Sequence, residues 1–166
     1  MWQKICGIGL VLMTLMVQAD EKNGDWQYYS NDTSSVFFIG STPQSQKGTF
    51  KKRGPAYITV TSRPRQKTFD VVGVTSGYPY KEGSQVTVIV FSKGQKKIKE
   101  YTLFTQGDWA WTDNDATDKA LVESMKKGEA LLVKGESQKG TYSEDTYSLK
   151  GFTAAYQKLS KKAHAS

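Results

Sequence analysis

The chain has almost none of the residues that usually carry soft-metal or nucleophilic chemistry. It contains 1 cysteine and 1 histidine in 166 residues. Zinc and haem sites need clusters of Cys or His. Here the cysteine is Cys6 and the histidine is His164, at opposite ends of the sequence. A Ser-His-Asp or Cys-His arrangement would have only His164, the third residue from the end of the sequence, to serve as its base. Disulfide bonding within the chain needs a second cysteine, so stability has to come from the core. Only 4 prolines are present, and no Pro/Gly/Ser-rich linker or internal repeat divides the sequence. Long apolar runs are also missing, with one exception at the start.

That exception is the stretch Ile5–Val17. Lys4 precedes it, and Val17-Gln18-Ala19 follows with acceptable residues for a cleavage site, so residues 1–19 read as a signal peptide cut between Ala19 and Asp20. The run is short for a membrane span, and Asp20 and Glu21 follow it at once. Cys6 sits too early in the run to be a lipoprotein cysteine. Removing nineteen residues leaves a single domain, 20–166, large enough to bury a real core. The full chain carries 23 Lys+Arg against 16 Asp+Glu, a net +7, and the domain loses only Lys4 from that balance.

Period-two alternation marks the strands. Asp25–Tyr29 places Trp26 and Tyr28 on one face, and Val36–Gly40 is a short apolar strand. Ala56–Ser62 alternates Ile58 and Val60 with threonines, and Phe69–Val74 follows. Val86–Phe91 is apolar on most of both sides, which predicts a central strand, and Ile98–Thr105 returns as its hairpin partner. Ala130–Gly135 is another strand, and Tyr147 and Leu149 define the buried face of the next. Residues 20–25 read as a frayed polar lead, and Ser41–Lys52 as a loop.

Helical spacing occurs twice. Ala116–Lys127 follows the capping residues Thr112-Asp113-Asn114-Asp115 and ends at Gly128. After Gly151, Phe152, Ala155, Tyr156 and Leu159 fall at i, i+3, i+4 and i+7. Many strands with turns between them and two short late helices predict a mainly β, antiparallel β-sandwich.

Several motifs fail when weighed. Asp113–Asp118 resembles a calcium loop, but Asp118 stands where glycine is needed and Ser124 where glutamate is needed. Ser124-Met125-Lys126-Lys127 matches S-x-x-K without its supporting elements. Glu144 and Asp145 are adjacent, so a strand sends them to opposite faces, and they read as a solvated strand entrance. The glycines show no phosphate-cradling spacing. No cofactor and no metal is expected, and no enzyme.

Basic residues are the positive signal. Lys51, Lys52, Arg53, Arg63 and Arg65 bracket one strand, and Lys96, Lys97 and Lys99 sit on a hairpin tip. Loops sharing one end of a sandwich would form a patch that attracts anions. Solubility and protection of sheet edges explain the same lysines without any ligand.

Several stretches in order resemble the invasion-associated locus B family of exported proteobacterial proteins. They are Arg53-Gly54-Pro55-Ala56-Tyr57, Gly77-Tyr78-Pro79, Leu103-Phe104-Thr105, Ala110-Trp111, Lys127-Gly128, Val133-Lys134-Gly135, Gly140-Thr141, Asp145-Thr146-Tyr147-Ser148-Leu149, Gly151-Phe152 and Ala155. The resemblance covers Arg53 to Leu159 and implies an immunoglobulin-like β-sandwich. It implies residence in the periplasm, at the outer membrane or outside a Gram-negative cell. It further implies a role in host-cell invasion or colonisation, and it brings no active-site residues. The expected partner is a protein or an anionic component of the envelope or host surface, with peripheral membrane contact left open and nucleic acid excluded. The alternative is a periplasmic housekeeping or stress protein that supports envelope integrity and has no host target.

Overall fold

The computed structural model describes residues 18–31 and 33–165, with side chains from residue 22 onward. The expected signal peptide lies outside the described residues except for Gln18 and Ala19. Strands β1 (Gln18–Asn23), β2 (Trp26–Asn31), β3 (Val36–Ser41), β4 (Ser45–Lys47) and β5 (Tyr57–Arg63) open the fold. Strands β6 (Thr68–Thr75), β7 (Gln85–Phe91), β8 (Lys97–Gln106) and β9 (Trp109–Trp111) lead into helix α1 (Asp115–Lys127). Strands β10 (Ala130–Glu136) and β11 (Tyr142–Ser148) and helix α2 (Phe152–His164) complete it.

The expectation of a mainly β, antiparallel architecture with two short helices holds. All eleven strands join one sheet in the order β1-β2-β3-β5-β6-β9-β8-β7-β10-β11-β4. That sheet curls until its two ends meet. Asp25 N donates to Lys150 O at 2.9 Å and Gln44 N to Thr146 O at 2.8 Å. Trp26 Nε1 donates to Ser148 O at 3.0 Å. The sandwich-like core is thus made by one sheet folded onto itself.

Strand alternation fills the interior. Trp26 and Tyr28, Phe37 and Ile39, Ile58 and Val60, Val72 and Val74 point inward from successive strands. Val86, Val88 and Val90 lie beside Leu131 and Val133 of the neighbouring β10 and point into the same core. β7 lies between β8 and β10, an interior place in the sheet, with Val86, Val88 and Val90 buried and Ile89 and Phe91 half-buried on the other face. Leu121, Val122 and Met125 of α1 and Phe152, Ala155 and Leu159 of α2 join this core.

The helix ends follow the local chemistry. Asn114 caps α1 by accepting from Thr117 N at 2.9 Å. Asp115 and Asp118 lie in its first turn and Lys126 and Lys127 in its last, as the helix dipole favours. Gly151 starts α2 with φ +86°, and a Cβ there would lie 2.0 Å from Asn23 O. Only glycine fits where the β1–β2 turn presses against this junction.

Two segments differ from expectation, and a third forms a short strand that no sequence pattern marks. The polar lead forms β1, which pairs with β2 along its length, so the expected cut between Ala19 and Asp20 falls within this strand. The supposed loop Ser41–Lys52 contains β4, three exposed polar residues held on the edge of β11. Trp109–Trp111 forms β9, between β6 and β8. Each owes its conformation to backbone pairing with a neighbour and not to its own pattern.

Candidate functional site: a basic groove over a buried ion pair

The inward face of β11 carries Ser143, Asp145 and Tyr147, all buried. The alternation that buries Tyr147 also buries Asp145, which is 0% exposed. This corrects the reading of Glu144 and Asp145 as a solvated strand entrance. Their side chains do take opposite faces, and Glu144 is paired outside with Lys134 at 3.1 Å.

Asp145 is neutralised by Arg53, whose Nη2 donates to Asp145 Oδ2. Arg53 Nε donates to Ser76 O at 2.6 Å. The guanidinium also lies over two aromatic rings, 5.2 Å from the Phe50 centroid and 5.5 Å from that of Tyr78. Those two rings stack on each other at 5.0 Å. Around this pair the hydroxyls form a network: Tyr80 donates to Ser76 Oγ at 2.8 Å, and Tyr78 and Ser143 share a bond of 2.5 Å. Burial pushes the Asp145 carboxyl upward, with Arg53 opposing it. Asp145 Oδ1 and the Tyr147 hydroxyl are buried without a hydrogen-bond partner among the described residues.

Close backbone approach shapes the rim above. Gly54 N donates to Gly77 O at 2.8 Å. Gly77 has φ +76°, and a Cβ on it would sit 2.1 Å from Gly54 O. The sequence Arg53-Gly54-Pro55 is therefore pinned where it can deliver Arg53 inward.

On the solvent side lies a groove of about 490 Å³. Phe50 and Tyr78 belong to its lining, with Lys51 and Lys52 from the β4–β5 connection and Gln138 and Lys139 from the β10–β11 turn. All three lysines are exposed, and none has an ion-pair partner among the described residues. The groove combines an aromatic floor with three unneutralised cations.

The remaining basic candidates fall elsewhere. Arg53 is committed to Asp145. Arg63 is only 4% exposed, and burial lowers its pKa. Arg65 is exposed and donates to Thr33 O at 3.0 Å. Lys51 and Lys52 precede β5 while Arg63 ends it, and a seven-residue strand separates its ends by about 20 Å. Lys96, Lys97 and Lys99 occupy the β7–β8 hairpin. Lys97 pairs with Glu100 at 3.0 Å, and Lys99 lies over the Tyr101 ring at 5.2 Å. The structure thus joins Lys51 and Lys52 with Lys139, which composition alone did not single out. The signal that could have found Lys139 is its place in the polar Ser137–Gly140 turn that joins β10 to β11.

The other weighed motifs have structural roles. Ser124 Oγ and the Tyr101 hydroxyl bond at 2.6 Å inside the fold. Asp118 Oδ1 accepts from Val72 N at 2.8 Å and from Thr112 Oγ1 at 2.6 Å, stitching α1 to β6. Burial raises the Asp118 pKa to about 6. Among the described residues no group of three or more His, Cys, Asp or Glu converges as a metal site would require. No described helix is long and apolar enough to cross a membrane.

No curated protein and no solved structure matches the chain. The invasion associated locus B (IalB) protein family matches over residues 44–160, which takes in β4 to β11, α1, most of α2, the Gly54–Gly77 contact, the Arg53–Asp145 pair and the whole lining of the groove. The chain belongs to the invasion associated locus B family.

Proposed function

We propose that this protein is an exported, non-catalytic binding protein of the Gram-negative envelope or cell surface that takes an anionic component of the envelope or host surface in its basic groove. The observation that carries this reading is the convergence of Lys51, Lys52 and Lys139 over the Phe50–Tyr78 floor. An aromatic floor gives area, and unpaired lysines give attraction for phosphate or sulfate groups. Binding is favoured over catalysis because Asp118 and Asp145, whose pKa values are raised, lie inside the fold and not in this groove. Family membership supports a role in host-cell invasion or colonisation.

The test compares two charge reversals of equal size. Lys51→Glu/Lys52→Glu/Lys139→Glu changes the groove, and Lys96→Glu/Lys97→Glu/Lys99→Glu changes the β7–β8 hairpin. Each lysine near an anionic surface contributes about 1 kcal/mol, so the groove variant should lose about a hundredfold in affinity for anionic vesicles or a sulfated polysaccharide. The hairpin variant should lose far less. Equal losses would mean that net charge alone drives attachment, and salt-insensitive binding would remove the electrostatic reading altogether. A deletion strain with normal host entry and a weakened envelope would favour a housekeeping role instead.

A further inference from the structure

A second concavity, of about 500 Å³, lies on the outer face of β2, β3 and β5 and shares no lining residue with the basic groove. Its character is different. Tyr29 and Phe38 stack at 4.7 Å with 12° between their planes, forming one wall. Tyr57 forms another and is held edge-on by Trp109 at 5.5 Å. Between them the floor drops because residue 40 is glycine. A Cβ there would lie 3.6 Å from Thr59 Cγ2 and 3.4 Å from Ile58 O, so the space above it is a real opening and not a forced contact. Thr59 lines this floor, and its hydroxyl is buried without a partner among the described residues.

The rim is polar and fixed. Asp25, Gln27 and Gln44 surround the opening. The segment leaving β3 is tied down, since Ser41 Oγ donates to Asp25 O at 2.7 Å and Gln44 N donates to Thr146 O at 2.8 Å. A preformed wall lowers the ordering cost of binding.

From this arrangement we infer that the outer groove over Gly40 is a binding site for a pyranose ring of a glycan. A sugar ring offers a C–H face to aromatic side chains and hydroxyls to carboxylate and carboxamide groups at its edge. Other ligand classes fit less well. A peptide would find no free strand edge here, because β2 is paired with β1 and β3, and β3 with β5. An acyl chain would leave Asp25, Gln27 and Gln44 facing hydrocarbon. A nucleic-acid strand needs a basic track, and among the described residues Lys22 is the one cation lining the groove, which Asp25 also lines.

The full-length protein is titrated with chitotriose, cellotriose and maltotriose by calorimetry and by tryptophan emission, since Tyr57 touches Trp109. Saturable binding of at least one of these sugars is expected. Gly40→Val should abolish it by filling the floor. Gln27→Ala and Tyr57→Ala should each weaken it about tenfold, the loss of one hydrogen bond or one aromatic contact. The two alanine variants decide the matter where Gly40→Val does not fold, as judged by its melting curve. The site is overturned if none of the three sugars binds saturably, or if binding survives in the variants that fold. It is also overturned if the wild type dimerises and Gly40→Val makes it monomeric, since the groove would then be an interface between copies.

Discussion

Replacing Arg53 with methionine isolates the energetic role of the buried pair. Methionine keeps an apolar stem beside the Phe50 and Tyr78 rings but removes the guanidinium. Asp145, 0% exposed, is then left without its cation, and Ser76 O loses the donor now at 2.6 Å. Breaking a buried pair on one side costs about 3–5 kcal/mol. That is a large share of the roughly 5–15 kcal/mol that holds a domain together. The double variant Arg53→Met/Asp145→Leu removes both charges and should recover much of the loss, because replacing such a pair with apolar groups is often neutral. Acidity should change the result in a defined direction. Without Arg53 the Asp145 pKa rises further above its ordinary 3.8. A group raised in the folded state contributes stability below its unfolded pKa and loses it as pH climbs through the folded value. The deficit of Arg53→Met should therefore be small at about pH 4 and full at about pH 8. Urea unfolding at both values, with unchanged m, measures it. A loss under about 1 kcal/mol at the higher pH would put the pair in the class of exposed salt bridges and refute the reasoning.

Two further substitutions probe other contacts. Asp118→Asn keeps an oxygen for both Val72 N and Thr112 Oγ1 while abolishing the charge. The Asp118 pKa is raised to about 6, so wild type should lose about 3 kcal/mol relative to this variant as pH rises from 3.8 through that value. Parallel stability curves for the two proteins would contradict it. Gly73→Ala would place a Cβ 2.4 Å from Trp111 Cζ3, on the outer face where Trp111 stacks on Trp109 at 5.1 Å. A displaced indole and a loss of about 1–3 kcal/mol are expected, read by tryptophan emission and thermal unfolding. An unshifted spectrum would show that the ring does not rest on Gly73.

Apolar patterns were legible because each records burial by its own alternation. Ile58 and Val60, Val86 to Val90, and the stripe Phe152, Ala155, Leu159 announce the faces they bury. Asn114 announces a helix start for an equally local reason. β4 and β9 were not legible, since three residues are too few for a period and both depend on partners brought by the fold. Asp145 shows the deeper limit. Extending the phase of Tyr147 by two residues places it inside, yet an acid is kept there only because Arg53, 92 residues earlier, reaches it. The basic groove was half visible for the same reason. Lys51 and Lys52 stand out as a run, whereas Lys139 joins them only across the turn after β10.

The seam between the sheet ends also dictates an order of assembly. Trp26 and Ser148, bonded across 122 residues, are joined beside the junction where Gly151 receives Asn23. Closing so long a loop is entropically expensive and slows folding. A chain emerging from its N-terminus can pair β2 with β3 and β7 with β8 early, but it cannot shut until β11 and α2 exist. Trp26 and Phe152, edge-to-face at 4.8 Å, are then the clasp. Until that moment the interior stays accessible to solvent, so a fragment ending before Ser148 should remain open and protease-sensitive however many of its strands have formed.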